Sequence, residues 1–108
     1  MIMVCPPVVA EVGFSARNGG DHDRLRQALA QFAECPVHPT TAITLGIQNA
    51  LLTNGFFRAV GALDTVIAAY ALANDAAVLH YDRDFELIAK VVPSFRHEWI
   101  VARGSLTT

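Results

Sequence analysis

Four acidic side chains stand where a parallel α/β sheet can build a metal site. Asp82 and Asp84 directly follow an apolar segment that predicts a strand, and Asp64 opens the predicted helix before that strand. Glu11 lies about one and a half turns into a helix that follows the first predicted strand. Because ligands of open parallel sheets bind beyond the carboxyl ends of the strands, we expect Asp82 and Asp84 to lie at a binding edge. The position of Asp64 relative to that edge depends on the loop before its helix, and Glu11 could lean back over the same edge.

Grouped carboxylates repel one another unless a cation lies between them, and Mg²⁺ and Mn²⁺ prefer such oxygen ligands. An ion held by carboxylates polarises a phosphate group and lowers the pKa of a bound water. The pattern therefore predicts a metal site that hydrolyses a phosphodiester bond.

Each of these acids also has a purely structural interpretation. Asp64 can act as a helix cap, and Asp82 can be a turn residue. Asp84 can cap the helix that starts at Phe85, and Glu11 can reach solvent from the rim of its helix. His80 is interpreted as a residue at the end of a strand, with a ligand role as the lesser alternative. Arg83 is expected to be solvated or to contact a phosphate.

Composition indicates one folded domain over residues 1–108. Hydrophobic residues make up 53% of the chain and charged residues 17%, which excludes a disordered chain. We expect a partner subunit to cover part of the apolar surface. No apolar run is long enough to span a bilayer, and we expect a cytoplasmic protein with Cys5 and Cys35 as reduced thiols.

The net charge of −2 argues against a globally basic nucleic-acid binder. When the four candidate acids are set aside, however, the eight cations outnumber the six remaining acids. Seven of those cations are arginines, whose guanidinium groups bind phosphate oxygens in pairs. An acidic pocket with arginines around it suits a phosphate substrate that a metal ion bridges.

The first half of the chain alternates strands with helices. We predict a strand over 1–5, a helix that starts at Pro6-Pro7 and stops at 17–20, and a helix capped by Asp21 or Asp23 that runs to about Glu34. A short strand or edge connection over 35–39 follows, and Thr40-Thr41 caps a helix that ends at 53–55.

The second half predicts a loop over 56–61, a buried helix over 63–73 and a strand over 76–81. The continuous apolar character of that strand is typical of a parallel strand covered on both faces. A short helix over 85–91, a last strand over 98–101 and a frayed tail over 103–108 complete the order. Strands that alternate with helices indicate an α/β sandwich with a mainly parallel sheet.

Two other classes of α/β protein lack support. Gly19-Gly20 belongs to no dinucleotide-binding or P-loop pattern. A receiver-like phosphoacceptor domain would require a lysine on a late strand, whereas Lys90 lies in a predicted helix after Asp84.

Three segments resemble a known family. The segments GALDTVIAAYAL and VLHYDRDFELIA resemble the C-terminal half of a PIN domain, in particular the toxin ribonucleases of the VapC type, and PPVVAEVGFSAR is similar to the family's acid-bearing helix. The resemblance implies a three-layer α/β/α fold, in which Glu11, Asp64, Asp82 and Asp84 are the catalytic and metal-binding residues. It also implies dependence on Mg²⁺ or Mn²⁺, cleavage of RNA, a homodimer and inhibition by a small VapB-type antitoxin.

One departure from the family pattern concerns the start of the chain. The family begins with a strand that carries an Asp, before the segment equivalent to Met1–Val4, and no acid precedes Glu11 here. We therefore expect a PIN-like domain that lacks the family's first strand. The alternative to an active ribonuclease is an inactive PIN remnant that only binds an antitoxin or a sister subunit.

Overall fold

A computed structural model describes residues 2–80 and 82–100 of the chain. The chain divides into two compact units, Met1–Pro36 and Val37–Thr108. The predictions made for Met1, for Tyr81 and for the segment 101–108 lie outside the described residues. Within the described residues, no helix is long and apolar enough to cross a membrane.

The first unit contains one parallel strand pair joined by two helices. Strand β1 (Met3–Val4) leads into helix α1 (Pro6–Phe14), which is followed by helix α2 (Gly19–Leu29) and strand β2 (Ala33–Glu34). Strands β1 and β2 pair in register, Met3 with Ala33 and Val4 with Glu34. As predicted, α1 begins at the proline pair, because proline is tolerated in the first turn of a helix.

Helix α2 starts and ends earlier than predicted. Asn18 is its N-cap, and the Asn18 side chain accepts a hydrogen bond from the backbone N–H of Asp21 at 2.9 Å. The predicted cap, Asp21, lies in the first turn instead, where it pairs with Arg17 and Arg24. These hydrogen bonds, chiefly that from Arg17, hold the pKa of the Asp21 carboxyl below its usual value.

The second strand was predicted over 35–39 but lies at Ala33–Glu34. The N–H of Cys35 donates to the carbonyl of Val4 at 2.8 Å, which completes the pairing with β1. Pro36 and Pro39 have no N–H to continue it. Both cysteines are free, and burial raises the pKa of the Cys5 and Cys35 thiols, which keeps them protonated and weakly nucleophilic.

The second unit contains three helices and a second parallel strand pair. Helix α3 spans Thr41–Thr53, a short 3₁₀ helix spans Phe57–Ala59, and helix α4 spans Ala62–Ala73. Strand β3 (Ala77–His80), helix α5 (Asp84–Val91) and strand β4 (Arg96–Trp99) follow. Strands β3 and β4 are parallel and α5 connects them, so the predicted α/β class with parallel strands is confirmed.

The signals predicted for α3 are confirmed at both ends. Thr40 is the N-cap, and its hydroxyl accepts from the N–H of Ile43 at 3.3 Å. At the other end Gly55 adopts a φ of +79°, which glycine tolerates because it has no Cβ, and the N–H of Phe56 donates to the carbonyl of Leu51 at 2.8 Å.

The core of this unit lies where α3, α4 and α5 pack. Its fully buried side chains include Ile47, Leu51, Ala68, Ala69 and Ile88.

The strand β3 is covered on one face, which corrects the expectation of burial on both faces. Val78 and His80 are buried, whereas Leu79 between them is 52% exposed. The last strand, predicted over 98–101, lies at Arg96–Trp99 because its register follows β3, from Ala77 opposite Arg96 to His80 opposite Trp99. The short run of apolar residues at 99–101 is therefore not what determines where β4 begins.

The cap of α2 provides a test of this fold. Changing Asn18 to Ala removes the side-chain acceptor for the N–H of Asp21, and we expect a loss of about 1 kcal/mol in the free energy of unfolding. Changing Asp23 to Ala removes only an exposed ion pair with Arg26 at 3.7 Å, and we expect a change within about 0.5 kcal/mol. Urea denaturation followed by circular dichroism measures both. A larger loss in the Asp23 variant than in the Asn18 variant would contradict the observed cap.

Candidate metal centre

Three of the four predicted acids come together in the second unit. One carboxylate oxygen from each of Asp64, Asp82 and Asp84 lies within 4.8 Å of the others. We call these three residues the acid cluster. Asp82 is exposed, and Asp64 and Asp84 are half-buried, so the cluster is open to solvent.

Two helix starts and one turn position the acid cluster. Asp64 is in the first turn of α4, whose N-cap is Gly61. Asp82 lies two residues after the end of β3, and Asp84 is the first residue of α5. Asp64 is therefore not the helix cap that its structural interpretation predicted, and Arg83 rather than Asp84 occupies the N-cap position of α5, without a side-chain cap hydrogen bond.

Backbone N–H groups connect the parts of the cluster. The N–H of Asp84 donates to Oδ1 of Asp82 at 2.9 Å, which is the turn role that the structural interpretation gave to Asp82. The N–H of Gly61 donates to Oδ2 of Asp84 at 3.4 Å and so links the starts of α4 and α5. Unpaired N–H groups at helix starts carry partial positive charge, which offsets part of the repulsion among the carboxylates.

The spread of the cluster is close to that of the ligands of a single hard cation. Mg²⁺ binds oxygen at about 2.1 Å in octahedral geometry, so two of its ligands lie about 3 Å apart when adjacent and about 4.2 Å apart when opposite. The three carboxylate oxygens lie within 4.8 Å of one another, and side-chain rotation would have to bring any pair beyond about 4.2 Å closer for direct binding to one ion. Carboxylate oxygens without sulfur or imidazole ligands favour Mg²⁺ or Mn²⁺ over zinc or copper.

Glu11 lies in the first unit, where it is an exposed residue of α1. The three acids that the structure brings together all belong to the second unit. A metal-binding role for Glu11 therefore stays a prediction from the sequence.

Sequence reasoning missed a histidine pair that lies beside the cluster. His80 is only 5% exposed, and its Nε2 lies 2.7 Å from Nδ1 of His97 on the neighbouring strand. The N–H of Asp82 donates to Nδ1 of His80 at 3.0 Å. Burial, with a further contribution from His97, holds the pKa of His80 below its usual value. No spacing in the sequence indicates the pair, because His80 and His97 meet only through the pairing of β3 with β4.

Most of the described arginines are occupied away from the acid cluster. Arg17 and Arg24 pair with Asp21, Arg26 pairs with Asp23, and Arg96 pairs with Asp75 at 3.0 Å. Among the described arginines, Arg58 and Arg83 therefore remain as candidates for the predicted phosphate contact.

Arg58 lines a recess next to the start of α4. The recess has a volume of about 270 Å³, and its lining includes Gln48, Phe57, Arg58 and Thr65. The guanidinium carbon of Arg58 lies 6.0 Å from the centre of the Phe57 ring. Because Thr65 directly follows Asp64, this recess offers an aromatic ring and a cation beside the helix turn that carries a cluster acid.

Comparison with known proteins assigns the chain to a family. A profile of the PIN domain matches residues 1–91. The chain belongs to the PIN-domain family. Ribonuclease VapC21 of Mycobacterium tuberculosis (strain H37Rv) is 39% identical to it over 97 residues, which are 88% of this chain and 70% of the relative.

Two further relatives support the assignment. Ribonuclease VapC18 of the same strain is 33% identical over 108 residues, which cover 97% of this PIN domain and 78% of the relative. Ribonuclease VapC51 is 39% identical over 99 residues, with 89% and 69% of the two chains covered. The resemblance to the VapC type, inferred from the acid-bearing segments, is confirmed.

Removal of single acids tests whether the cluster binds a metal. In the wild-type chain we expect Mn²⁺ at a hundred times its dissociation constant to stabilise the fold by about 2.7 kcal/mol. Asp64→Asn and Asp82→Asn should lose this stabilisation, because each removes a charged ligand while keeping the side-chain shape. Thermal unfolding with Mn²⁺ and with EDTA measures the difference.

Asp75→Asn is the matched control, since Asp75 lies outside the acid cluster and its φ of 49° suits asparagine. It should respond to Mn²⁺ as the wild type does. Equal stabilisation of all four chains by Mn²⁺ would exclude the acid cluster as the binding site.

Proposed function

We propose that this PIN domain is a metal-dependent endoribonuclease, the toxin of a toxin–antitoxin pair. The observation that carries the proposal is the acid cluster, whose three carboxylate oxygens lie within 4.8 Å of one another in a chain whose relatives are named ribonucleases. The proposal covers residues 1–108 as one functional domain, in the cytoplasm, with a VapB-type antitoxin and a second copy of the chain as partners.

The residues that would hold Mg²⁺ or Mn²⁺ are Asp64, Asp82 and Asp84, with Glu11 as the fourth. When bound, such an ion polarises a phosphate oxygen and makes a bound water more acidic. The chain's own contribution is to hold the carboxylates at fixed positions. Gly61 and Asp84 do so through the backbone N–H groups that they donate to cluster oxygens. A metal held by few protein ligands leaves room for a water and for the scissile phosphate.

The recess at Arg58 is the proposed contact for the RNA strand. The ring of Phe57, which is partly exposed, offers a surface on which a base can stack, and the guanidinium of Arg58 can contact a phosphate oxygen. Arg83, between the two acids that follow β3, is the second candidate for phosphate contact.

A cleavage assay tests the activity. We expect the purified chain to cut 5′-labelled single-stranded RNA with Mg²⁺ or Mn²⁺ and to lose that activity in EDTA. Asp64→Asn and Asp82→Asn should reduce the rate by about a hundredfold or more, because the ion supplies several kcal/mol of transition-state stabilisation. Asp75→Asn should cut at the wild-type rate, and Glu11→Gln tests the predicted fourth ligand.

Two outcomes would contradict this proposal. Cleavage that persists in EDTA and in both cluster variants would exclude catalysis by the acid cluster. Absence of cleavage by a folded wild-type chain that still binds an antitoxin or a sister subunit would favour the binding-only alternative.

Arg58→Ala tests the substrate contact separately from the chemistry. We expect weaker RNA binding and a salt dependence of log K reduced by about one phosphate contact. The Michaelis constant should rise more than the turnover number falls, since the lining of the recess includes Thr65 but none of the cluster acids. Lys90→Ala, an exposed cation on the last turn of α5, is the matched control and should leave the salt dependence unchanged. An equal effect of both changes would show that Arg58 contributes only general charge.

A further inference from the structure

We infer that His80 is a positioning residue for Asp82 and that His97 holds the His80 ring in the tautomer required for this role. The consequence of this positioning role for catalysis rests on the proposed function. The hydrogen bonds themselves can be tested in the absence of metal and RNA.

The turn between β3 and α5 carries two of the three acids, so its backbone determines where their carboxylates lie. Three groups of Asp82 are hydrogen-bonded within the described residues. Its N–H donates to Nδ1 of His80 at 3.0 Å, its Oδ1 accepts from the N–H of Asp84 at 2.9 Å, and its carbonyl accepts from the N–H of Phe85 at 3.4 Å. The second and third of these bonds come from α5, whereas the first is the bond that ties Asp82 to β3.

His80 is a rigid anchor for that bond. Its backbone carbonyl accepts from the N–H of Ile100 at 2.8 Å, which fixes the residue at the end of the strand pair. The rings of Phe85 and Trp99 each lie 4.8 Å from the His80 ring, centre to centre. A buried ring confined on two sides cannot rotate freely, so the position of Nδ1 is set by the core.

The hydrogen bonds also assign the tautomer. A backbone N–H can only donate, so Nδ1 of His80 must accept from Asp82 and carries no proton. The proton of the neutral ring therefore lies on Nε2, from which it donates to Nδ1 of His97 at 2.7 Å. His97 thus accepts at Nδ1 and stabilises the form of His80 that can hold the Asp82 N–H. The chain of bonds runs from Asp82 through His80 to His97.

Simple packing is the competing explanation for a buried histidine between two aromatic rings. The two explanations differ in which ring nitrogen matters. Packing requires only a ring of the right size, whereas positioning requires an acceptor at the place of Nδ1. Asparagine puts an amide oxygen close to the position of Nδ1, and glutamine puts its amide group close to that of Nε2.

The first measurement uses the metal-free wild-type chain at a pH where free imidazole is neutral. Long-range ¹H–¹⁵N NMR spectra of the histidine rings report which nitrogen carries the proton. We expect the Nε2–H tautomer for His80 and slow hydrogen exchange of the Asp82 amide. A proton on Nδ1 of His80, or an Asp82 amide that exchanges as fast as a free one, would overturn the inference.

The second measurement compares His80→Asn with His80→Gln. We expect the Asn variant to keep the protection of the Asp82 amide and to bind Mn²⁺ within a few-fold of the wild type. The Gln variant should lose that protection and bind Mn²⁺ about tenfold to a hundredfold more weakly, the range typical for loss of a group that orients a ligand. His38→Gln is the matched control, since His38 is an exposed histidine that contacts Tyr70. It should change neither quantity.

Equal Asp82 protection in the Asn and Gln variants would overturn the positioning role and leave packing as the explanation. Failure of the proposed function gives a different result. In that case the wild-type chain neither binds Mn²⁺ nor cuts RNA, while the tautomer and the exchange of the Asp82 amide still decide the role of His80.

Discussion

Mutual repulsion among three carboxylates is the constraint that the second unit has to satisfy. Two unit charges about 4 Å apart repel by about 1 kcal/mol in water and by about 4 kcal/mol at the effective dielectric constant typical of a protein surface. Three such charges within 4.8 Å would separate if their backbones were free to move. The residues beside them are buried: Thr65 follows Asp64, and Phe85 follows Asp84. Packing of α4 and α5 therefore holds the three like charges together.

The partial charges of backbone N–H groups offset part of the repulsion among the three carboxylates. Gly61 and Asp84 donate N–H groups to cluster oxygens, so the carboxylates are oriented before any ion binds. These bonds offset only part of the charge, because an N–H dipole is not a full positive charge. His80 adds a contact of another kind, since its Nδ1 accepts from the Asp82 backbone N–H and does not donate to the carboxylate. A protonated ring in its place would compete with a bound cation, so a neutral histidine suits the site better.

Cap and stop signals in the sequence predicted the ends of helices that depend only on neighbouring residues. Thr40 and Gly55 bound α3 as expected, because a cap and a positive φ depend on residues within one turn. The strand end placed Asp82 and Asp84 at one edge, whereas the position of Asp64 depends on the loop before α4, and the structure brings all three together. Strands β2 and β4 each begin two residues earlier than predicted, because pairing with another strand and not the local apolar pattern fixes where a short strand lies. The contact between His97 and His80 also depends on strand pairing, so the sequence did not predict it. The exposed Leu79 shows that an apolar strand need not be covered on both faces.

The openness of the acid cluster bears on what kind of metal site it would be. Structural metal sites surround their ion with protein ligands, whereas catalytic sites leave positions for water and substrate. Here the candidate ligands are three carboxylates, one of them exposed, at the starts of two helices and at a turn. A Mg²⁺ ion held by so few protein oxygens would keep several of its waters. The recess lined by Phe57 and Arg58 reaches Thr65, the residue after Asp64 in the same helix turn. Three carboxylates in an exposed position therefore suit an open metal site better than one in which protein ligands surround the ion.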